Sequence, residues 1–254
     1  MQNSGILPQK QGVDSMKKQL FLLVLLTFSI SSLTAWELPE GFGKALKNKQ
    51  KNDELLKLAK NGDIEANYQL AQRYEYGRGV KKDLNTAIQL YYIAAKKGHC
   101  DSQFKLGYLL GEAKAYTESA EWYLKAAEQG HSAAQYNLAH YYRNGNGVAE
   151  DHKKAVKWFL KAAEQGDADA QFILGCYYVN TNGVFRRDYS IAAKWHRKAA
   201  NQGHSGSQFL LGYFYESGKG VPKSYDEAVK WYQKAANQGH KKAQQKLKRL
   251  RRTW

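Results

Sequence analysis

The residues of this 254-residue chain with which chemistry could be done are few: seven histidines, two cysteines and one Ser-x-x-Lys string. Four of the histidines, His99, His131, His204 and His240, each follow a glycine in the same local context. They recur because a turn recurs, and turns spread along a chain cannot surround one metal ion with three or four donors. The string "SQFK" (Ser102–Lys105) has the spacing of the nucleophile motif in penicillin-recognising enzymes, but no S-D-N or K-T-G accompanies it. Ser102 also falls in register with Ala66, Ala134, Ala170 and Ser207, a position reserved for small residues. "SGKGV" has the look of a phosphate loop, yet Gly220 follows Lys219 where Ser or Thr is required. H-E-x-x-H, C-x-x-C and G-x-S-x-G are absent. Cys100 and Cys176 are 76 residues apart. A disulfide needs Cα atoms within about 7 Å, so free thiols or an intermolecular bond are expected. The sequence therefore offers no catalytic residue, no metal site and no cofactor site.

The elements that carry these residues are repeated. An Ala-Ala-x-x-Gly signature ends at Gly98, Gly130, Gly166, Gly203 and Gly239, at intervals of 32, 36, 37 and 36 residues. A fixed period in this range marks a solenoid of helical hairpins. In each unit one apolar pattern runs Ala134, Leu138, Ala139, Tyr142, and again Ala170, Leu174, Gly175, Tyr178. Offsets of 0, 4, 5 and 8 share one face of an α-helix. A second pattern runs Trp158, Phe159, Ala162, Ala163, with Trp122, Trp195 and Trp231 at the tryptophan position. The tryptophan is expected to fill the gap between the helices of its unit while the alanine pair permits close approach. "YGRGV", "NGNGV" and "SGKGV" supply the hairpin turns.

The string A-x-x-x-L-G-x-x-Y-x-x-G-x-G-V, followed by D, A-x-x-W-Y-x-K-A-A-x-x-G, resembles the Sel-one-like repeat family, relatives of the tetratricopeptide repeats. The resemblance implies an all-α, right-handed solenoid of about five units (63–99, 100–131, 132–167, 168–204, 205–240). It also implies a non-enzymatic adaptor, scaffold or modulator of partner enzymes, with host-interaction factors among the secreted bacterial members. Some cysteine-rich relatives are described as β-lactamase-like; they carry paired cysteines in each unit, which this chain lacks. The second unit has no G-x-G-V loop and is four residues short, and the fourth has one extra loop residue in "NGVFRRDYSIA".

Residues 36–62 are expected to form an N-terminal segment and capping helix, and residues 241–254 a basic C-terminal cap. Terminal repeats need such segments to cover their core face. Residues 16–35, "MKKQLFLLVLLTFSISSLTA", have the basic, apolar and small-residue layout of a secretory signal peptide, with cleavage after Ala35. Met1–Ser15 reads as an upstream extension. Export to the periplasm or beyond is expected, with no stable membrane span after cleavage.

What remains for function is surface. On the first helix of each unit, offsets 2, 6 and 9 lie on another face from the packing stripe. Offset 2 is always aromatic. Offset 6 varies, through Gln72, Tyr108, His140, Cys176 and Tyr213, and offset 9 includes Arg143 and Glu216. Variation on a shared face suits a concave groove reading different groups along a protein or peptide partner. The formal net charge is +16, with 39 Lys+Arg against 23 Asp+Glu. The basic ends "KALKNKQK" and "KKAQQKLKRLRR" leave open an anionic cell-envelope polymer as the partner. Export makes nucleic acid an improbable natural target.

Overall fold

The computed structural model describes residues 42–180 and 186–250, with side chains from residue 50 onward. The chain divides at residue 48 into two units. Of the first, only the opening turns of α1 (Phe42–Lys60) are described. The signal segment, the upstream extension, the fourth unit's extra loop residue and the last four residues lie outside the described residues.

The part from residue 49 onward holds five helical hairpins, the repeat units, each a first helix followed by a second. The hairpins are α2 (Ile64–Tyr76) with α3 (Leu84–Lys96), α4 (Cys100–Glu112) with α5 (Tyr116–Glu128), and α6 (Ser132–Asn144) with α7 (His152–Glu164). Then come α8 (Ala168–Val179) with α9 (Tyr189–Asn201), and α10 (Ser205–Ser217) with α11 (Tyr225–Asn237); α12 (Lys241–Leu250) closes the series. Each helix packs on its neighbours in the chain. With no strand among the described residues, the fold is an all-α solenoid.

Helix starts are set by side-chain caps, because the first turn leaves backbone N–H groups without partners. Asp63 and Asp167 cap α2 and α8. His99, His131, His204 and His240 occupy the same position in front of α4, α6, α10 and α12, with Nδ1 accepting from Ser102, Ala134, Ser207 and Ala243 at 3.0–3.2 Å. The glycine before each histidine adopts φ near +90° and ends the preceding helix. The second glycine of each G-x-G loop has a different duty. A Cβ on Gly147 would lie 2.2 Å from the Tyr116 backbone, and one on Gly220 would lie 2.1 Å from the Tyr189 carbonyl. The loop of one unit thus rests on the start of the second helix of the unit before it. The second unit, lacking this loop, turns within three residues, Ala113–Ala115, with Lys114 at φ 62°.

The packing stripe of the first helices is buried as the spacing predicts: Leu70, Leu106, Leu138, Leu174 and Leu211 are at most 2% exposed. Gly107, Gly175 and Gly212 admit the rings of Tyr123, His196 and Tyr232, each of which would meet a Cβ at 2.6–2.7 Å. The aromatic assignment needs correction. Trp122, Trp158 and Trp195 are only half-buried, with Lys125, Lys161 and Lys198 at 4.2–4.4 Å over their rings, whereas Trp231 is buried as expected, at 7% exposed. The gap is filled by the next residue along, Tyr91, Tyr123, Phe159, His196 and Tyr232, all at most 3% exposed. One step of 100° around the helix puts this residue between the neighbouring first helices.

A buried polar row completes the spine. Gln103, Gln135, Gln171 and Gln208 donate from Nε2 to the carbonyls of Ala95, Ala127, Ala163 and Ala200 at 3.0–3.1 Å. Their Oε1 atoms accept from Gln129, Gln165, Gln202 and Gln238, which follow the second helix of the same unit. Each of these last-turn alanine carbonyls already accepts from the N–H of the helix-ending glycine, and the glutamine gives it a second bond on its other lone pair. Because each glutamine-to-alanine bond crosses a unit boundary, the spine fixes the stacking register as well.

Candidate functional site

Ser102 and its neighbours have the outline of a catalytic triad. Ser102 Oγ lies 2.9 Å from His99 Nδ1, and His99 Nε2 lies 3.3 Å from Glu65 Oε2. The arrangement is structural. Ser102 has no exposed surface, so no substrate can reach its oxygen, and Nδ1 is already the helix cap. The same contacts recur where alanine replaces serine: His131 caps at Ala134 and faces Asp101 at 3.6 Å. Lys105, the other end of the motif, binds Glu75 at 3.1 Å and the Tyr76 hydroxyl at 2.9 Å.

The repeated histidines are committed to the array in three ways. Besides capping, each ring packs at 4.4–4.7 Å on the offset-2 aromatic of its own unit: Tyr68, Phe104, Phe172 and Phe209. Three of them also place Nε2 opposite a carboxylate of that unit, from Glu65, Asp101 or Asp169. Burial lowers the affinity of His131 for a proton, against the pull of Asp101. No group of three or more His, Cys, Asp or Glu among the described residues could hold a metal ion. Both cysteines are free and half-buried; burial raises the Cys176 thiol to about 11, far from the thiolate a nucleophile needs.

The offset-6 and offset-9 residues form rows along α2, α4, α6, α8 and α10. Tyr108 is exposed, at 45%. Gln72 donates to the Tyr68 hydroxyl at 2.8 Å, and Tyr213 accepts from Lys219 Nζ at 2.9 Å. His140 stands edge-on to Tyr136 and Phe159, with Nε2 buried and without a partner. Burial, and then the charge of Arg143, push its pKa down to about 4. Cys176 and Arg143 are half-buried. Glu216 accepts from the Tyr232 hydroxyl and from Lys246 Nζ. Burial opposes ionisation there, but these bonds outweigh it and hold the carboxyl below its usual range. Sequence reasoning placed these residues on one face. It missed that Glu216, and Glu75 in the first unit, are tied across the unit boundary to α12 and α4, because the lysine partner lies 30 residues away.

Five successive matches to the Sel1 repeat cover residues 64–99, 100–131, 132–167, 168–204 and 205–240. The chain belongs to the Sel1 repeat family. Sel1 repeat proteins are generally non-catalytic scaffolds for protein–protein interaction. A Sel1 repeat protein from Oxalobacter formigenes is 29% identical, with a TM-score of 0.70 over 78% of this chain and 82% of that one. A protective antigen of uropathogenic Escherichia coli, displaying an SLR fold, is 40% identical, with a TM-score of 0.67 over 76% of this chain. This chain spans 42% of that antigen's length. No curated protein matches significantly. Both structural relatives are bacterial, and no helix among the described residues is long and apolar enough to cross a membrane.

Proposed function

We propose that this Sel1 repeat protein is an exported, non-catalytic scaffold that holds a protein or peptide partner along the face built by α2, α4, α6, α8 and α10. One observation carries the reading. The packing rows repeat the same residue types from unit to unit, while the neighbouring row changes from Gln72 to Tyr108, His140, Cys176 and Tyr213. A row of constant backbone geometry and changing chemistry suits a ligand that runs along the array and presents different groups to each unit. Arg143 and Glu216 extend this face. Export rests on the layout of residues 16–35 and requires a mature N-terminus at Trp36, which mass spectrometry of the exported protein would identify.

The decisive experiment compares two variants of the mature chain as bait against envelope and culture fractions. Changing Tyr108, Arg143 and Tyr213 together to Ala removes the aromatic and guanidinium anchors that dominate interface energies. Changing Lys248, Arg249, Arg251 and Arg252 to Gln neutralises the C-terminal end without removing the cap. Loss of capture by the first variant alone supports the groove. Loss by the second alone overturns it in favour of an anionic envelope polymer. That rival is favoured by the exposed Lys241, Lys242, Lys248 and Arg249 of α12, and its affinity would fall steeply with salt.

A further inference from the structure

Two of the five units place a glutamate at offset 9, and both glutamates are neutralised within the array. Glu75 meets Lys105 Nζ at 3.1 Å, and Glu216 meets Lys246 Nζ at 2.8 Å. Each lysine stands at offset 3 of the following first helix. Offset 9 of one unit and offset 3 of the next therefore face each other across the unit boundary. The third unit keeps these positions and changes their chemistry. Arg143 occupies the glutamate position, and Ile173 the lysine position.

Arg143 is half-buried, and its Nε donates to Asn144 Oδ1 at 3.2 Å. Among the described residues no carboxylate lies within the 4.0 Å of an ion pair. The ring beside it is no substitute, since His140 can only be neutral or positive. At the next boundary the pair is wholly apolar, Val179 followed by Leu210, with Tyr213 in the adjoining row. All three are half-buried. The middle of the face thus carries a partly desolvated guanidinium with no carboxylate in ion-pair contact, beside a strip of apolar side chains. A charge taken partly out of water is costly unless paired, and guanidinium presents a planar fork of donors that matches a carboxylate.

We propose that Arg143 anchors a carboxylate of an extended peptide whose apolar side chains lie on Ile173, Val179 and Leu210. This deepens the groove reading and rests on it. Neighbouring helices pack about 10 Å apart, and an extended chain advances about 3.3 Å per residue. The acid on Arg143 and the apolar side chain at the next boundary, on Val179 and Leu210, are therefore about three residues apart. In the first and fifth units this position is a glutamate already paired with a lysine, which leaves no cation to take the peptide's carboxylate, so the site is specific to the middle of the array.

The probe is an array of immobilised nonapeptide amides carrying the frame Asp-x-x-Leu-x-x-Leu, with a matched array in which Asn replaces Asp. The mature chain is expected to bind the best Asp peptides at least about tenfold more tightly than their Asn twins, as a charge-assisted bond provides. Arg143→Gln abolishes that preference and Arg143→Lys keeps part of it. Lys157→Gln, at an exposed position of the second helix α7, leaves it unchanged. Leu210→Ser weakens both series equally. Melting temperatures of all variants are measured to show that each is folded. If the two series bind equally, or if the preference survives Arg143→Gln, the carboxylate assignment is overturned, while sensitivity to Leu210→Ser would leave the groove reading standing. If no peptide of either series binds, both are overturned.

Discussion

Replacing His196 by Phe should stabilise the protein, and by more in acid than at neutral pH. His196 sits at the position that is Tyr, Tyr, Phe and Tyr in the other units, and it has no exposed surface. Its ring packs against Gly175, Phe172 and Phe214. Nδ1 reaches Ser207 Oγ only at 3.4 Å, and Nε2 has no partner. Burial, and then the proximity of His204, lower its pKa from 6.5 to about 4. The unfolded chain therefore binds a proton between those values while the folded chain does not. Stability is held above pH 6.5 and lost as the pH falls towards 4. At pH 5 the loss from this one residue is about 2 kcal/mol, because each pKa unit is worth about 1.4 kcal/mol and some 1.5 units have been crossed. Phe cannot titrate, and Phe159 already fills the equivalent space in the third unit beside Ala139. The assay is urea unfolding followed by circular dichroism at pH 7.5 and pH 5, with amide exchange of α8 and α9 as a local readout. His196→Phe is expected to gain about 1–3 kcal/mol at pH 7.5 from removal of the unpaired nitrogen, and about 2 kcal/mol more at pH 5. All other titrating groups are common to both proteins and cancel in the difference. Parallel pH profiles for the two proteins would refute the reasoning.

The corrected aromatic assignment predicts that Phe159→Ala costs about 3–5 kcal/mol, as for a fully buried ring. Trp158→Ala should cost clearly less, because that ring is only partly buried and its outer face carries Lys161; equal losses in urea unfolding would restore the tryptophan as the core residue. Gly147→Ala should destabilise the boundary between the second and third units, since the Cβ would run into the Tyr116 backbone and the residue holds φ 65°. Amide exchange at the start of α5 reports it. Glu216→Gln removes the counter-charge of Lys246 and should loosen α12 without affecting α2–α7, which the same exchange experiment resolves helix by helix. Because Glu216 is held below its usual range, this difference should vanish as the pH falls below the ordinary glutamate value of 4.5.

The sequence by itself determined the architecture. Apolar spacing of 0, 4, 5 and 8 defines a helix face without reference to anything distant, and a glycine at a fixed interval ends each helix. The buried leucines and the glycine contacts at positions 107, 175 and 212 follow from that local periodicity. It did not decide between two adjacent aromatics. Trp158 and Phe159 are equally apolar by pattern, and only the directions from which the flanking first helices approach α7 select Phe159 as the ring that is enclosed. Nor did it reveal the glutamine spine. Gln135 and Gln165 read as ordinary polar positions until the stacking brings each unit's last-turn helix carbonyls against the next. The chosen face divides the same way. The variable row was legible because it departs from the repeat, but whether an ionisable residue on it is spoken for depends on partners one unit, about 30 residues, along the chain. Glu75 and Glu216 find a lysine there; Arg143 finds isoleucine. Local spacing places a side chain on a helix, and stacking decides what stands opposite it.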